Sequence, residues 1–335
     1  MRLLILGGTE FVGRAVAEEA SARGRRVTVF HRGRHAAPPG VAELLGDRTA
    51  DGGLDALEKA AGDGGWDAVV DTWSGAPSAV RDAAELLAPH VRHHVYVSSR
   101  SVYADPVPAG LDENGPVVDA SPDDESGADY ARAKRGGELA ALAAFGDRAL
   151  LVRAGLILGP HENIGRLPWW LLRVARGGEV LAPGPRDLPL QYVDARDLAG
   201  WTLDAVERGL GGPYNVVSPP GHTTMAELLE SCVRVTGSGA ELRWTEPETV
   251  LAAGALPWTD LPIWIPPGEA HDALHQGDVS QAVAAGLRCR PVAETVADTW
   301  AWLRGLGGEP PRRPDRPRLG LAPEKEAEIL RSADR

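Results

Sequence analysis

The chain has 335 residues, of which 43% are apolar and 24% charged, with 40 glycines and a net charge of −12; these are the values of an ordinary globular protein, in one large domain or two closely joined ones. The acidic balance argues against a protein whose main task is gripping nucleic acid, because counterion release needs clustered Lys and Arg. No stretch reaches the ~20 uninterrupted apolar residues of a membrane span, and the start lacks a signal-peptide pattern, so a cytoplasmic protein that does not bind membranes is expected.

The first thirteen residues read as strand, tight turn and helix. An apolar run from Leu3 to Leu6 breaks at Gly7-Gly8, and helix-forming residues then run from Phe11 to Arg23 with a stop at Gly24. Glycines let the backbone approach a pyrophosphate, and the free N–H groups and positive dipole end of the new helix attract it. Gly7, Gly8, Thr9, Glu10, Phe11, Val12 and Gly13 are therefore candidate dinucleotide contacts. Glu10 stands where the middle glycine of G-x-x-G-x-x-G would be, and its carboxylate must point away from phosphate. A second strand, Arg26 to Phe30, follows at the distance a βαβ unit requires and ends in His31-Arg32-Gly33-Arg34. NAD-binding proteins place a carboxylate there for the ribose hydroxyls, whereas guanidinium groups clamp a 2'-phosphate. NADP(H) is expected, with His31, Arg32 and Arg34 as contacts; Arg also stacks on adenine without selecting phosphate, which keeps NAD(H) as the alternative.

Further strand patterns at Ala42 to Leu45, Ala68 to Val70, Val95 to Ser98 and Ala149 to Val152 alternate with helical or loop segments. That alternation predicts an α/β protein with a doubly wound parallel sheet, whose loops gather along one edge. Asp47, Asp71 to Ser74 and Ser98 to Ser101 then face the same crevice. Asp71, beside Trp73, reads equally as a ribose contact or a capped strand end. In Tyr130-Ala-Arg-Ala-Lys134 the spacing of four puts both side chains on one helical face, and the ammonium favours the phenolate that proton transfer at neutral pH needs.

Beyond Gly155 proline and tryptophan become frequent. Trp169, Trp170, Trp258 and Trp264 either line a pocket in a smaller α/β domain or fill its loop-rich core; tryptophan suits both. His161, Glu162, Asn163 and Arg166, just after Gly159-Pro160, either orient a substrate at the pocket mouth or hydrogen-bond within their loop. Strands at Leu190 to Val193 and Tyr214 to Val217 flank a helix at Ala195 to Arg208, so the chain returns to the first domain. Thr224 to Glu227 is a capping box opening a helix that Gly237 closes, and Ala293 to Leu303 is the last long helix. After Gly307, a segment carrying Arg312, Arg313, Arg316 and Arg318 is expected to be a solvated, extended linker, followed by a short helix from Pro323 to about Ser332. The expected division is a dinucleotide-binding domain over 1–160 plus about 188–217, a substrate domain over about 161–187 plus 218–305, and a tail at 306–335. Cys232 and Cys289 have no close cysteine partners and read as buried bystanders; no spacing among the nine histidines makes a metal site.

The glycine turn, the strand end Ser98-Ser-Arg-Ser-Val-Tyr103 and the Tyr130/Lys134 pair together resemble the extended short-chain dehydrogenase/reductase family, the group containing nucleotide-sugar epimerases and dehydratases. The resemblance covers roughly residues 1 to 305. It includes Tyr192-Val-Asp-Ala-Arg-Asp-Leu, Pro213-Tyr-Asn-Val and Gly277-Asp-Val-Ser-Gln-Ala. It implies a Rossmann-like fold in which Ser99 hydrogen-bonds the substrate oxygen, Tyr130 is the general acid/base, and Lys134 binds the nicotinamide ribose and lowers the tyrosine pKa. It further implies that Gly7, Gly8 and Gly13 form the pyrophosphate turn, that Asp47 meets the adenine amine, and that helices at Pro77 to Ala88 and Ala128 to Phe145 make a homodimer surface. The form G-G-T-E-F-V-G looks like an atypical branch that also includes chloroplast RNA-associated members.

Family members that act on nucleotide sugars usually carry a late Arg-Pro-Gly-Asp segment, but the corresponding stretch here is Ile265-Pro-Pro-Gly-Glu269. The missing arginine favours a small or hydrophobic carbonyl or alcohol substrate, with Ser101, His161, Asn163, Arg166, Trp169 and Trp264 as its contacts. The expected activity is an NAD(P)H-dependent oxidoreductase of carbonyl reductase or alcohol dehydrogenase type. The alternatives are a nucleotide-sugar epimerase or dehydratase with a retained nicotinamide, and a non-catalytic dinucleotide-sensing or RNA-associated binding protein. The Ser99, Tyr130 and Lys134 set and the acidic charge weigh against the last.

Overall fold

Leu3 to Leu6 are buried on both faces, as a strand covered by helices on either side requires. This strand, β1 (Arg2–Leu6), lies within a seven-stranded sheet in the computed structural model, which describes residues 1–62, 64–314 and 316–333. The others are β2 (Arg26–His31), β3 (Ala42–Leu45), β4 (Ala68–Asp71), β5 (His93–Ser99), β6 (Ala149–Ala154) and β7 (Gly212–Val216). Their order is β7-β6-β5-β4-β1-β2-β3 and every pairing is parallel. The order reverses between β1 and β4, and at such a switch point the loops following the strands diverge and open a crevice.

The helices α1 (Phe11–Ala22), α2 (Asp55–Gly62), α3 (Pro77–Leu87) and α4 (Tyr130–Phe145) connect these strands. Val16, Ala17 and Ala20 of α1 pack on one face of the sheet; Leu57 of α2, Val80 and Leu87 of α3 and Ala141 and Phe145 of α4 pack on the other. The small residues on these helix faces let the layers approach closely. After α5 (Arg166–Ala175), α6 (Ala195–Glu207) returns to the sheet beside α1, burying Leu198, Trp201 and Leu203. Asp194 caps α6: its carboxylate accepts from Arg196 N and from the Thr295 hydroxyl.

A separate apolar core joins Leu167, Trp170 and Leu171 of α5 to α7 (Met225–Thr236) and, later in the chain, to helices that follow α8 (Pro247–Ala252), α9 (Glu269–His275) and α10 (Ser280–Ala284). These are α11 (Val292–Gly305) and α12 (Pro323–Ala333), which contribute Val296, Leu303 and Ile329. The parallel pair Glu179–Pro183 and Glu241–Thr245 completes this second body. Thr224 and Glu227 make the expected capping box at α7, and Gly237 ends it in the left-handed region.

Three details differ from the sequence expectation. Leu190 to Val193 is not one strand, because Gln191 is fully buried and turns its amide to Ser218 O and Gly277 O; two-residue strands flank it, each with a different partner. The stretch 280–287, expected in the substrate domain, packs Ala282, Ala285 and Leu287 against the sheet. The Pro/Arg segment is not a solvated linker: Arg313 N bonds Asn163 O at 3.0 Å and Gly320 N bonds Thr259 O at 2.8 Å, so it lies across the body as an arm. Beyond it α12 is docked, with Ile329 fully buried and Glu326 paired to Arg173 at 2.6 Å.

Candidate active site

The glycine turn is built by close approach. Gly7 and Gly8 have φ of +114° and +89°, and a Cβ on Gly8 would lie 2.5 Å from a Val29 methyl; one on Gly13 would lie 2.6 Å from Gly8 N. Only glycine fits at these positions. The first helical bond of α1 runs from Arg14 N to Glu10 O, which leaves the N–H groups just before it, those of Phe11, Val12 and Gly13, without intrahelical partners, as at any helix start. These residues fit a dinucleotide pyrophosphate, because N–H groups without intrahelical partners gather at the helix start beside close-packed glycines. Thr9 sits in the bend and Phe11 is buried. The Glu10 carboxylate does point elsewhere: it accepts from Asn163 Nδ2 at 3.1 Å and lies 3.6 Å from His35.

At the ends of β2 and β3, Arg32 and Arg34 are exposed and Asp47 lies between them and Thr49. The Thr49 hydroxyl and amide hold the Asp47 carboxyl below its usual range, and the two arginines add to that effect. His31 does not join them. Its ring is buried against Glu43 at 2.9 Å and accepts from Gly33 N, so both nitrogens serve the strand end. Asp71 takes the capping role: it is buried, accepts from Trp73 N at 2.9 Å and pairs with Arg48 at 2.9 Å. Trp73 packs its ring under the Arg48 guanidinium and donates Nε1 to Ala76 O. The Arg48 pair was not anticipated, since nothing in sequence spacing joins positions 48 and 71.

Tyr130 is the first residue of α4, placed there by Asp129, whose carboxylate caps the helix through Arg132 N. Lys134 turns inward instead of lying along the surface. Its ammonium donates to Trp73 O at 2.5 Å and Val97 O at 2.7 Å and sits 4.8 Å from the Tyr96 ring. Burial pulls its pKa down to about 7, with nearby Asp71 working in the opposite direction. Lys134 thereby ties α4 to the ends of β4 and β5. Ser99 ends β5 and caps the turn at Arg100–Val102, accepting from Ser101 N at 3.1 Å, while the exposed Ser101 receives the Ser99 hydroxyl proton. Beneath them Ser98 and Arg153 both bond the fully buried Glu138 of α4, and Arg153 continues to the Tyr103 hydroxyl and thence to Asn215. Breaking such a buried pair by removing one partner costs about 3–5 kcal/mol, so this network fixes the helix carrying Tyr130.

The substrate candidates separate. Trp264 is a core residue, fully buried with Nε1 on Gly184 O, and cannot meet a substrate. His161 faces Trp302, with ring centroids 5.3 Å apart, and burial lowers its pKa. Asn163 is committed to Glu10 and to the arm, and Trp169 packs on Trp170 beneath Gly320. Arg166 does approach the site: its guanidinium lies 5.0 Å from the Trp258 ring, and Tyr130 and Glu162 are among the groups acting on its charge. The unexpected member is Arg316, 5.3 Å from the Tyr130 ring. The run of arginines was legible as a cluster, but extended backbone has no periodicity that says where it docks. Among the described residues no group of three His, Cys, Asp or Glu could hold a metal ion.

A sequence model of the NAD dependent epimerase/dehydratase family matches residues 3–217. The chain belongs to that family. As a member of the epimerase/dehydratase family it also shares its fold with solved structures of low sequence identity. The Bordetella bronchiseptica enzyme WbmH in complex with NAD+ aligns with a TM-score of 0.66 at 19% identity, over 91% of this chain and 99% of that one. UDP-glucose 4-epimerase of Thermus thermophilus, complexed with NAD, aligns with a TM-score of 0.64 at 20% identity, over 91% and 99%. The Bordetella bronchiseptica enzyme WbmG, in complex with NAD and UDP, aligns with a TM-score of 0.66 at 18% identity, over 95% and 99%. No curated protein gives a significant match. Among the described residues, no helix is long and apolar enough to cross a membrane.

Proposed function

We propose that this epimerase/dehydratase family member acts on a nucleotide sugar and keeps its nicotinamide dinucleotide bound through the cycle. The observation that carries this reading is a continuous hydrogen-bonded link from the glycine turn to the C-terminal arm. Glu10, in the pyrophosphate turn, bonds Asn163, and Asn163 O bonds the arm at Arg313 N. The link ties the turn to the arm, and we infer that it would cover a dinucleotide seated on the turn and favour its retention over exchange each turnover. The UDP-glucose epimerase and WbmG named above support the substrate class.

The bound dinucleotide would supply a hydride acceptor and donor. Phe11, Val12 and Gly13 would bring backbone donors to its pyrophosphate while Gly7, whose own N–H bonds Phe30 O, and Gly8 would let it approach closely, and Lys134 would face its nicotinamide ribose from the junction of β4 and β5. Tyr130 would carry the proton of the reacting hydroxyl, with the Arg316 guanidinium over its ring, and Ser99 would hold the same oxygen. We infer that Arg32 and Arg34 accept a 2'-phosphate, so that NADP(H) binds at least as tightly as NAD(H). We also infer a homodimer through the outer sides of α3 and α4, where Leu86 and Leu142 are only partly covered. The setting is cytoplasmic, where Cys232 and Cys289 stay reduced; burial raises both thiols, that of Cys289 to about 12.

A second reading, a carbonyl reductase that consumes NADPH, draws on the absence of arginine from Ile265 to Glu269. Purified protein separates the two. Co-purifying dinucleotide with turnover of a nucleotide sugar in the absence of added coenzyme supports the first; stoichiometric NADPH consumption with a ketone and no retained dinucleotide overturns it. In either case Tyr130→Phe should lower kcat about 10²- to 10⁴-fold with dinucleotide content unchanged.

A further inference from the structure

Arg100 stands between Ser99 and Ser101 at the end of β5, and its side chain turns into the interior. It is 7% exposed and pairs with no carboxylate among the described residues. Nη1 donates to Leu274 O at 2.8 Å and to Gln191 Oε1 at 3.3 Å, and Nη2 donates to Ala273 O at 3.1 Å. Ala273 and Leu274 lie in the last turn of α9, where carbonyls lack intrahelical donors and a cation is favoured. A residue of the catalytic turn therefore closes the end of a helix far along the chain.

Space is kept for this contact. A Cβ on Gly277 would lie 2.1 Å from Arg100 Nη2. The Gly277 peptide is held on both sides by Gln191, its N–H donating to Oε1 at 2.8 Å and its O accepting from Nε2 at 2.9 Å. Gln191 N donates to His275 Nδ1 at 3.0 Å, which closes a buried network around the end of α9. At the far side of the turn, the Tyr103 hydroxyl bonds Asn215 and Arg153 of the sheet. The turn is thus pinned from two directions, by Tyr103 to the sheet and by Arg100 to α9, which follows the second-body core residues Leu261, Ile263 and Trp264. Between the pins, the Ser99 and Ser101 side chains bond only within the turn among the described residues. An apolar side chain of similar volume often fills buried space as stably as an ionic group. What the guanidinium adds is a set of directed bonds, and with them a single placement of the backbone that carries both hydroxyls.

We propose that Arg100 is a positioning residue: by bonding the end of α9 it fixes where the Ser99 and Ser101 hydroxyls stand relative to Tyr130. Proton transfer then depends on how the second body is seated. This rests on the reading that Ser99 and Tyr130 serve the reacting oxygen, and not on whether the substrate is a nucleotide sugar or a ketone.

The test compares full-length wild type with Arg100→Met, Arg100→Lys, Gly277→Ala and His271→Phe, in epimerisation of UDP-glucose and in NADPH-dependent reduction of cyclohexanone and acetophenone. In whichever reaction wild type performs, Arg100→Met should lower kcat about 10- to 100-fold, the effect of displacing a reacting group by about an ångström, with KM and dinucleotide content unchanged. Arg100→Lys keeps a charged donor and should recover part of kcat. Gly277→Ala drives a methyl into the guanidinium without altering charge and should slow turnover in the same way; it carries every readout should Arg100→Met fail to fold. His271→Phe removes a different tie of α9, from Nε2 to Pro189 O, and should lower thermal stability without lowering kcat. Hydrogen exchange needs no substrate. In Arg100→Met the amides of Ser101 and Tyr103, bonded within the turn, should lose protection together with Gln276 N at the end of α9, while His271→Phe leaves the turn protected. Unchanged kcat in Arg100→Met, an equal loss of kcat in His271→Phe, or unchanged protection at Ser101 and Tyr103 overturns the proposal. Ketone reduction without epimerisation, slowed by Arg100→Met, keeps it and removes the nucleotide-sugar reading; epimerisation that Arg100→Met leaves untouched does the reverse. With neither reaction in wild type, loss of protection confined to the Arg100 and Gly277 variants supports it, and its absence overturns it.

Discussion

The glycine turn and the C-terminal arm are joined through Asn163, and they are built by opposite means. The turn uses peptide N–H groups fixed by a strand and a helix, with glycines wedged so closely that a single methyl group has nowhere to go. The arm uses long cationic side chains on proline-rich extended backbone, anchored at Asn163 and Thr259. A site made of backbone is rigid and written locally, within thirteen residues. One made of side chains on an extended segment depends on docking between residues some 150 positions apart (Asn163 and Arg313).

Breaking the turn should give the largest effect. Gly13→Ala places a Cβ 2.6 Å from Gly8 N, where no flexible side chain can yield. We expect about 1–3 kcal/mol of destabilisation from overpacking and loss of co-purified dinucleotide, read by thermal unfolding and by absorbance of the released cofactor.

Lys134 lies between the two regions and reports on both. Its ordinary pKa is 10.5 and its folded value is about 7, so between those pH values the unfolded chain binds more protons and stability rises with pH. The cost of holding the charged amine is fully present below about pH 7 and is gone above the unfolded value. Between pH 7 and 9, wild type without dinucleotide should gain up to ~1.4 kcal/mol per pH unit relative to Lys134→Met, measured by urea unfolding. Because Arg313 and Arg316 oppose the Lys134 charge, the Arg313→Ala/Arg316→Ala variant should begin this rise at a higher pH. An identical onset in both proteins would show that the arm does not act on Lys134.

Uncoupling turn from arm should matter less. Asn163→Ala removes the donor that draws Glu10 aside and should weaken dinucleotide binding by about 1 kcal/mol, while Asn163→Ala/Glu10→Gln should recover most of it. The smallest change is expected at the adenine end: Arg32→Ala should weaken NADPH several-fold, about 1 kcal/mol, and leave NADH unaffected. Equal NADPH affinity would remove the argument for a 2'-phosphate site.

The same contrast explains what was legible in the sequence. The seven sheet strands, the glycine turn and the capping of α7 were all visible, because each is set by neighbours within a few residues or by periodic burial. At Asp71 both a ligand and a capping role suited the sequence, and nothing local announced its distant partner Arg48. Trp264 illustrates a different limit. A tryptophan in Pro-rich sequence is equally consistent with a pocket wall and a core, and the deciding partner, Gly184 O, lies 80 residues away. The arginines flanking β2 divide similarly: Arg23 and Arg25 pair with Asp204 and Glu207 of α6, while Arg32 and Arg34 are exposed beyond its C-terminal end.

The docking of α12 has a practical consequence for handling the protein. The exposed bonds after Arg312 and Arg318 are natural targets for trypsin, yet the helix beyond them is seated by Ile329 and by the pairing of Glu326 with Arg173. A nicked preparation would therefore elute from a sizing column as if intact while its crevice had lost the strap. Mass measurement under denaturing conditions would reveal such a cut, and it belongs before any binding titration.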